Sequence, residues 1–362
     1  MVSDSRSPQL QASEWLVAAR AEIVSDLTGR VPAPSQPNGS GDGADRQKFL
    51  RQIAGHLLAD LRRALAWDKP ILFIDCVGWA KAALIQRGVP DSALALHLEY
   101  VAAAVRRGLP NDAGSQASDV VLAALQAMPE LPDEPPGFLR PGAPLSPLAT
   151  LYFRALLRGD RQLGSRLVLQ MAELGTPIKE IYLHVFLPTM HEIGRLWQIN
   201  RISVAEEHYA TAATQLIMSQ LYSYIFSSKK IGRTVVVACV SGELHELGAR
   251  MVADFFEIDG WDSYYTGANT PISDVVQAVI ERRAGVLAIS ATIAHHIEEV
   301  KRLIDLVRDR PECSGVKVIV GGFPFNHQPG LWQQIGADGS GPDADAAVLL
   351  ANNLVDAKLG CS

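Results

Sequence analysis

The stretch of this chain best suited to chemistry is Glu243-Leu244-His245-Glu246-Leu247-Gly248. A neutral imidazole is a good nitrogen ligand for a transition metal, and the nitrogen it offers is set by what holds the other one. Glu243, two positions before His245, can hold one ring nitrogen and leave the other open. Gly248 leaves space beside them and allows a following helix to pack closely on a sheet. Two more signals stand further on, Ser290-Ala291-Thr292 and Gly321-Gly322. The hydroxyls of Ser290 and Thr292 can donate and accept hydrogen bonds, and the paired glycines allow a close approach to the backbone with no Cβ in the way. Trp197, Glu207 and His208 form a third group, in which an aromatic ring and a carboxylate–imidazole pair flank one helical hairpin.

These residues need elements to place them. The apolar run Thr234 to Val240 precedes the histidine, and a helical pattern, Ala249 to Glu257, follows it. A strand therefore delivers His245 to the carboxyl edge of a sheet, where open α/β sheets bind ligands. Strand candidates at 234–240, 262–266, 286–290, 316–320 and 337–339 alternate with helical patterns at 246–258, 272–282, 294–309 and 343–357. The alternation predicts a doubly wound parallel sheet over 233–357. Residues 148–228 read as four helices, 148–157, 160–174, 177–198 and 203–226, with short breaks that favour antiparallel neighbours. Residues 45–128 read as a separate helical bundle for output or dimerisation, in which Phe49, Ile53, Leu57, Leu61 and Leu65 mark one apolar face. Its later helices run Ile71 to Gln86, Ser92 to Arg107 with Asp91 or Ser92 as the cap, and Ser115 to Met128. An N-terminal helix, Gln9 to Thr28, and a flexible linker, Val31 to Ala44, fill 1–44. A proline-rich, semi-rigid spacer occupies 129–147. The expected fold class is α and α/β.

Bulk properties narrow the function classes. A chain of 362 residues accommodates two or three domains. A net charge of −6 disfavours nucleic-acid binding by general electrostatics, although Arg51, Arg62, Arg63, Arg106 and Arg107 could make a local patch. Cys76, Cys239, Cys313 and Cys361 show no paired spacing and read as scattered thiols of a reducing cytoplasm. Met1 to Glu14 has no apolar core of a secretion signal, and no run approaches the roughly 18 apolar residues of a membrane span.

Glu-x-His-x-x-Gly, Ser-x-Thr and Gly-Gly at these intervals resemble the cobalamin-binding domain of methionine synthase and its relatives, whose usual pattern is Asp-x-His-x-x-Gly, Ser-x-Leu and Gly-Gly. The resemblance covers 148–357, because the preceding helices match the four-helix cap over the corrin. It implies a Rossmann-like domain in which His245 is the lower axial cobalt ligand and Glu243 its partner. It also assigns Gly248, Ser290, Thr292, Gly321 and Gly322 to the cofactor. Glu243 stands where Asp is usual, one methylene longer, which predicts a less direct hydrogen bond. Thr292 stands where Leu is usual.

Trp-x9-Glu-His, read as Trp197, Glu207 and His208, is similar to the signature of light-sensing cobalamin proteins, among them repressors of the CarH/LitR type and antirepressors of the AerR type. This resemblance implies that Trp197 shields the upper axial ligand and that Glu207 and His208 face the corrin. Adenosylcobalamin is the implied form, ahead of methylcobalamin and hydroxocobalamin. The implied function is a light sensor and transcriptional regulator rather than a catalyst. Its output runs through a protein partner such as a transcription factor in preference to direct DNA binding, and a homo-oligomer is among its states. Gln198 stands where some of these repressors carry a histidine. The alternative is a corrinoid protein carrying methyl groups for a methyltransferase, and a third class is a sensor with heme in place of cobalamin. His295-His296 reads as a solvated helix start, His191-Glu192 as packing, and Asp343 with Asp345 as the cap of the last helix. Phe323 and Phe325 fit ligand and core equally well.

Overall fold

A computed structural model describes residues 12–19, 21, 23–24, 43–109, 111–226 and 228–359. Residues 12–19 are helical, as expected; most of the 31–44 linker, the side chain of Arg51 and Cys361 lie outside the described residues. The chain divides into two units, Met1–Pro135 with Gln198–Asn200, and Pro136–Trp197 with Arg201–Ser362.

The first unit is built on α1 (Gly43–Ala66), α2 (Pro70–Ile85), α3 (Asp91–Gly108) and α4 (Asn111–Ala127). Ile53, Leu57, Leu61 and Leu65 are buried, as their four-residue spacing predicts. A proline fits the first turn of α2, where its missing N–H costs nothing. The expected cap of α3 is not seen: Pro90 holds that position and no side chain caps the helix. Helix α4 begins earlier than expected, and Met128 opens a 3₁₀ turn instead of ending it. Arg63 is buried and paired with Asp60 at 2.6 Å, so it is withdrawn from the expected basic patch, whereas Arg106 and Arg107 are exposed. The proline-rich segment is not an independent spacer. The buried Lys81 ammonium donates to the carbonyls of Leu131 (2.5 Å) and Met128 (3.1 Å) and pairs with Asp133 (2.9 Å), which ties the segment's first half to this unit.

The second unit opens where the Phe138 amide donates to Glu192 Oε2 at 2.9 Å. Its cap consists of α5 (Ser146–Leu157), α6 (Arg161–Glu173), α7 (Ile178–Ile181, Tyr182–Phe186 and Leu187–Gln198, run end to end) and α8 (Val204–Gln220). Asp160 caps α6 through the Leu163 amide at 2.9 Å. Ser203 and Glu206 form a reciprocal capping box that fixes where α8 starts. The single helix expected over 203–226 breaks at Leu221 and resumes as Tyr222–Ile225. Tyr152, Tyr182 and Phe186 fill the cap core, with ring centroids 5.2–5.4 Å apart. Tyr182–Phe186 is a π turn inside α7.

The sheet follows as β1 (Thr234–Cys239), α9 (Leu247–Ile258), β2 (Asp262–Tyr265), α10 (Ile272–Glu281), β3 (Val286–Ser290), α11 (Ile297–Arg308), β4 (Lys317–Gly321), β5 (Gly339–Ser340) and α12 (Ala344–Leu359). All pairings are parallel, in the order β2-β1-β3-β4-β5. Val235 to Cys239 and Val286 to Ile289 are buried, which a parallel sheet covered on both faces requires. Helix α11 shows why such helices form here. Ile297, Val300, Leu303, Ile304 and Val307 give it one apolar stripe, while Lys301 and Asp305 pair on its outer face. Asp343 caps α12 through the Ala346 amide at 2.9 Å, as expected, and Asp345 instead pairs with Lys179.

Cap and sheet meet across a polar seam. Lys179 of α7 pairs with Asp259 (2.6 Å) and Asp345 (2.9 Å), and the Tyr182 hydroxyl donates to Asp254 Oδ2 at 2.8 Å. Burial pushes the Asp254 carboxyl up to about 6, against the opposing pull of the Tyr182 bond and Arg250. A raised carboxyl favours folding in its protonated form. That contribution is complete below the unfolded value of 3.8 and is lost as pH rises through about 6. Asp254→Asn should therefore change stability little at about pH 4 and raise it at about pH 8, by up to about 3 kcal/mol. Thermal melts across pH check this; equal effects at both pH values would contradict it.

Candidate functional site

In a sheet of this order, β1 and β3 lie at the switch point where ligands bind outside the carboxyl ends. The register there is level. Cys239 pairs with Ser290, and Ser290 with Gly321, so the three motifs read from the sequence leave the sheet side by side. Beyond β1 the chain turns at Gly242, whose φ of 85° suits glycine. The Gly242 amide donates to Asn269 Oδ1 (2.7 Å), and the Asn269 amide donates back to the Glu243 carbonyl (2.9 Å). The loop that carries His245 is thus fixed to Asn269 by one side-chain and one main-chain bond.

Glu243 is fully buried, and its carboxylate is saturated. Oε1 accepts from the His245 amide (2.9 Å) and from His245 Nδ1 (2.6 Å); Oε2 accepts from the Thr292 amide (2.7 Å). The less direct hydrogen bond expected of the longer side chain is not found: Glu243 meets His245 Nδ1 directly at 2.6 Å while its other oxygen reaches the β3 loop. Burial works to raise the Glu243 carboxyl, but the bonds from His245 and Thr292 outweigh it and hold it below the usual range. The same bond to Glu243 raises His245, against burial, and the charges of Glu243 and of Glu207 on α8 add to the effect. With Nδ1 committed, Nε2 is the nitrogen left to a ligand, on a side chain that is 54% exposed.

Among the described residues no cluster of three His, Cys, Asp or Glu could hold a bare metal ion. Burial, with Glu243 and Glu246 nearby, pushes the Cys239 thiol up to about 12, so it is a neutral, buried thiol of β1. One imidazole suffices only for a metal that brings its other ligands with it, as a macrocycle does. The space agrees. A Cβ added at Gly248 would meet nothing within 4 Å, so Gly248 leaves open room and is not required for close helix packing.

The other sequence-identified residues fall into two groups. Ser290 ends β3 beside Gly321, and Thr292 contributes its amide to Glu243. Gly322 has a φ of 104°, and a Cβ there would lie 2.0 Å from the Ala291 carbonyl oxygen, so the close approach that requires glycine is to the β3 loop. On the cap, Trp197 is 39% exposed near the end of α7, and Glu207 accepts from His208 Nδ1 (2.5 Å) and Thr211 Oγ1 (2.8 Å) at the start of α8. Phe325 is core, while Phe323 is exposed and stacks on His327. Glu192 is held by Arg195 at 2.6 Å, a packing role as expected.

Two residues escaped the sequence reading. His296 is buried, with Nε2 3.8 Å from Glu243 Oε2, and is not part of a solvated helix start; His295 is the exposed one. Adjacent histidines carry no periodic signal, so their opposite burial was not legible. Glu246 was passed over beside a stronger motif. Its carboxylate accepts from Gln215 Nε2 (2.8 Å), Tyr265 Oη (2.9 Å) and the Ala268 amide (3.1 Å).

Comparison with known proteins agrees with this geometry. Residues 233–349 match one B12 binding domain family and residues 148–222 a second. Dimethylamine corrinoid protein 2 of Methanosarcina mazei is 30% identical over 171 residues, 46% of this chain and 78% of the relative. The HTH-type transcriptional repressor CarA of Myxococcus xanthus is 32% identical over 138 residues, 38% of this chain and 45% of the relative. The structure of the monomethylamine corrinoid protein of Methanosarcina barkeri superposes with a TM-score of 0.51 at 20% identity, over 57% of this chain and 98% of the other, which establishes the shared fold. No helix of the described residues is long and apolar enough to cross a membrane. With a cap and a Rossmann-like sheet that both match B12 binding domains, and a relative 30% identical over 78% of its own length, this chain belongs to the B12-binding corrinoid proteins.

Proposed function

We propose that His245 would hold the cobalt of a cobalamin bound between the cap and the sheet edge, and that the cofactor would supply methyl-carrying chemistry to a cytoplasmic methyltransferase. The observation that carries this reading is the Glu243-held imidazole with its second nitrogen open, in a chain whose relatives over the same span include dimethylamine corrinoid proteins. When bound, the cobalamin supplies a cobalt–carbon bond that can be made and broken. The residues do the rest. Glu243 keeps the proton on His245 Nδ1 and fixes the ring plane. Gly248 leaves room, and the Ser290 and Thr292 hydroxyls are the groups that would bond the nucleotide tail. Trp197, Glu207 and His208 line the cap side and limit what reaches the upper face.

A second reading, a light sensor, is favoured by the interval from Trp197 to Glu207-His208 and by the similarity to a repressor. There Trp197 roofs an adenosyl group in the dark. Losing that group removes contacts from one cap arrangement and not from the other, which shifts the balance between them. The N-terminal bundle would then pass the change to a protein partner.

One experiment separates the two. The purified protein is loaded with adenosylcobalamin in the dark and followed by absorption and gel filtration before and after green light. A methyl carrier keeps its elution volume and, when charged with methylcobalamin, gives up its methyl group in the presence of a methyltransferase and that enzyme's acceptor. A sensor shows an irreversible spectral change and a new elution volume, and Trp197→Ala alters the light response while cobalamin stays bound. Failure to bind any cobalamin form would sink both readings.

A further inference from the structure

Helix α8 carries Glu207, Thr211, Gln215 and Ser219 at four-residue intervals, which places them on one face. That polar face lies against the sheet domain. Gln215 Nε2 donates to Glu246 Oε1 at 2.8 Å, and Arg250 of α9 donates to Ser219 Oγ at 2.7 Å. Glu207, two turns from Gln215 and about 12 Å up the helix, is the residue whose charge acts on His245.

Glu246 is the other half of the contact. Its Oε2 accepts from the Tyr265 hydroxyl and the Ala268 amide on the β2 side, while its Oε1 is given to the cap. Glu243 ties the same loop to the β3 side through the Thr292 amide. His245 therefore sits in a loop whose side chains Glu243 and Glu246 reach to the β3 side and to the β2 side respectively. Only one of them, Glu246, also bonds the cap.

We propose that the Gln215–Glu246 hydrogen bond is a positioning latch that sets the cap over the sheet edge and the aim of His245 together. It rests on the reading that His245 binds cobalt. The geometry gives the reason. Gln215 lies partway along α8, so a shift of the helix at this point carries Glu207 with it and moves Glu246, whose main chain adjoins the ligand. Glu246 is a positioning residue that acts through its neighbour and does not touch the metal.

The test compares Gln215→Ala, Glu246→Ala and the conservative Glu246→Gln with the parent chain. Hydrogen exchange of the cobalamin-free protein is the first measurement. Gln215→Ala and Glu246→Ala should raise exchange at 243–248 and at the start of α8, and Glu246→Gln, whose oxygen can still accept from Tyr265 and Ala268 while its NH2 donates to the turned carboxamide of Gln215, should restore most of the protection. Titration with hydroxocobalamin is the second. The alanine variants should bind about 10-fold more weakly, with a larger share of the spectrum in a form without the imidazole ligand. Parent-like exchange at 243–248 in Gln215→Ala overturns the latch, whatever the cobalamin result. A parent chain that takes up no hydroxocobalamin overturns the cobalt reading instead, and the exchange measurement then still decides whether the loop and the cap are joined.

Discussion

Cobalamin binding should weaken about 10- to 100-fold when Glu243 becomes glutamine, approaching the loss caused by His245→Ala. The reason is the number of donors converging on one buried carboxylate. Two backbone amides and an imidazole N–H all donate to it, and it donates nothing in return. A glutamine offers one oxygen and an NH2. If the oxygen keeps His245, the NH2 is pushed against the Thr292 amide; if it keeps Thr292, the NH2 faces two donors of His245. Each buried donor left unpaired costs about 1–3 kcal/mol. The imidazole also loses the charge-assisted bond that kept its proton on Nδ1. Titration with hydroxocobalamin, read through the spectrum of the imidazole-bound form, measures the effect. Binding by Glu243→Gln equal to the parent would show that the carboxylate does not set the ligand.

The second large effect belongs to Gly322. Its φ of 104° with ψ of 175° lies in a region open to glycine alone, and an added Cβ would stand 2.0 Å from the Ala291 carbonyl oxygen and 2.8 Å from its carbon. Both neighbours are backbone, so no side chain can swing aside. The β3 and β4 loops would have to part, breaking the 3.0 Å bond from the Ala291 amide to the Gly321 carbonyl. Gly322→Ala should cost roughly 3–5 kcal/mol, combining backbone strain with a lost buried bond. In a unit of this size that lowers the melting temperature by about 6–20 °C. Gly248→Ala is the control, because its Cβ meets open space. It should hold or slightly raise the stability of the cobalamin-free protein, since alanine is the better helix former. A small loss for Gly322→Ala, measured by thermal melting, would contradict the close approach.

Much of this was legible in the sequence because the signals were periodic. Strand β3 falls on the expected residues, β1 ends one residue early, and β4 starts and ends one residue late, since unbroken apolar runs bounded by glycine, serine and charge leave little choice. The pair Glu243 and His245 was legible because the hydrogen bond it makes is local. Contacts between elements were not legible. Nothing in Ala294-His295-His296 shows that the second histidine turns inward against Glu243 while the first faces solvent. Nothing near Gln215 announces that a polar helix face is an interface, because polar faces are ordinarily read as solvated. The spacer after α4 failed for the same reason: proline content suggested a strut, and the buried ammonium of Lys81 that gathers its carbonyls stands far away in sequence.

The level ends of β1, β3 and β4 make this architecture intolerant of changes in strand length. Main-chain pairing sets the height of Cys239, Ser290 and Gly321. Inserting or deleting a single residue inside β3 would displace its tip by about 3.3 Å and turn its buried and outward faces over. Lineages descended from this chain should therefore keep these three strands constant in length, while gaps and additions gather in the connections that carry none of the three motifs.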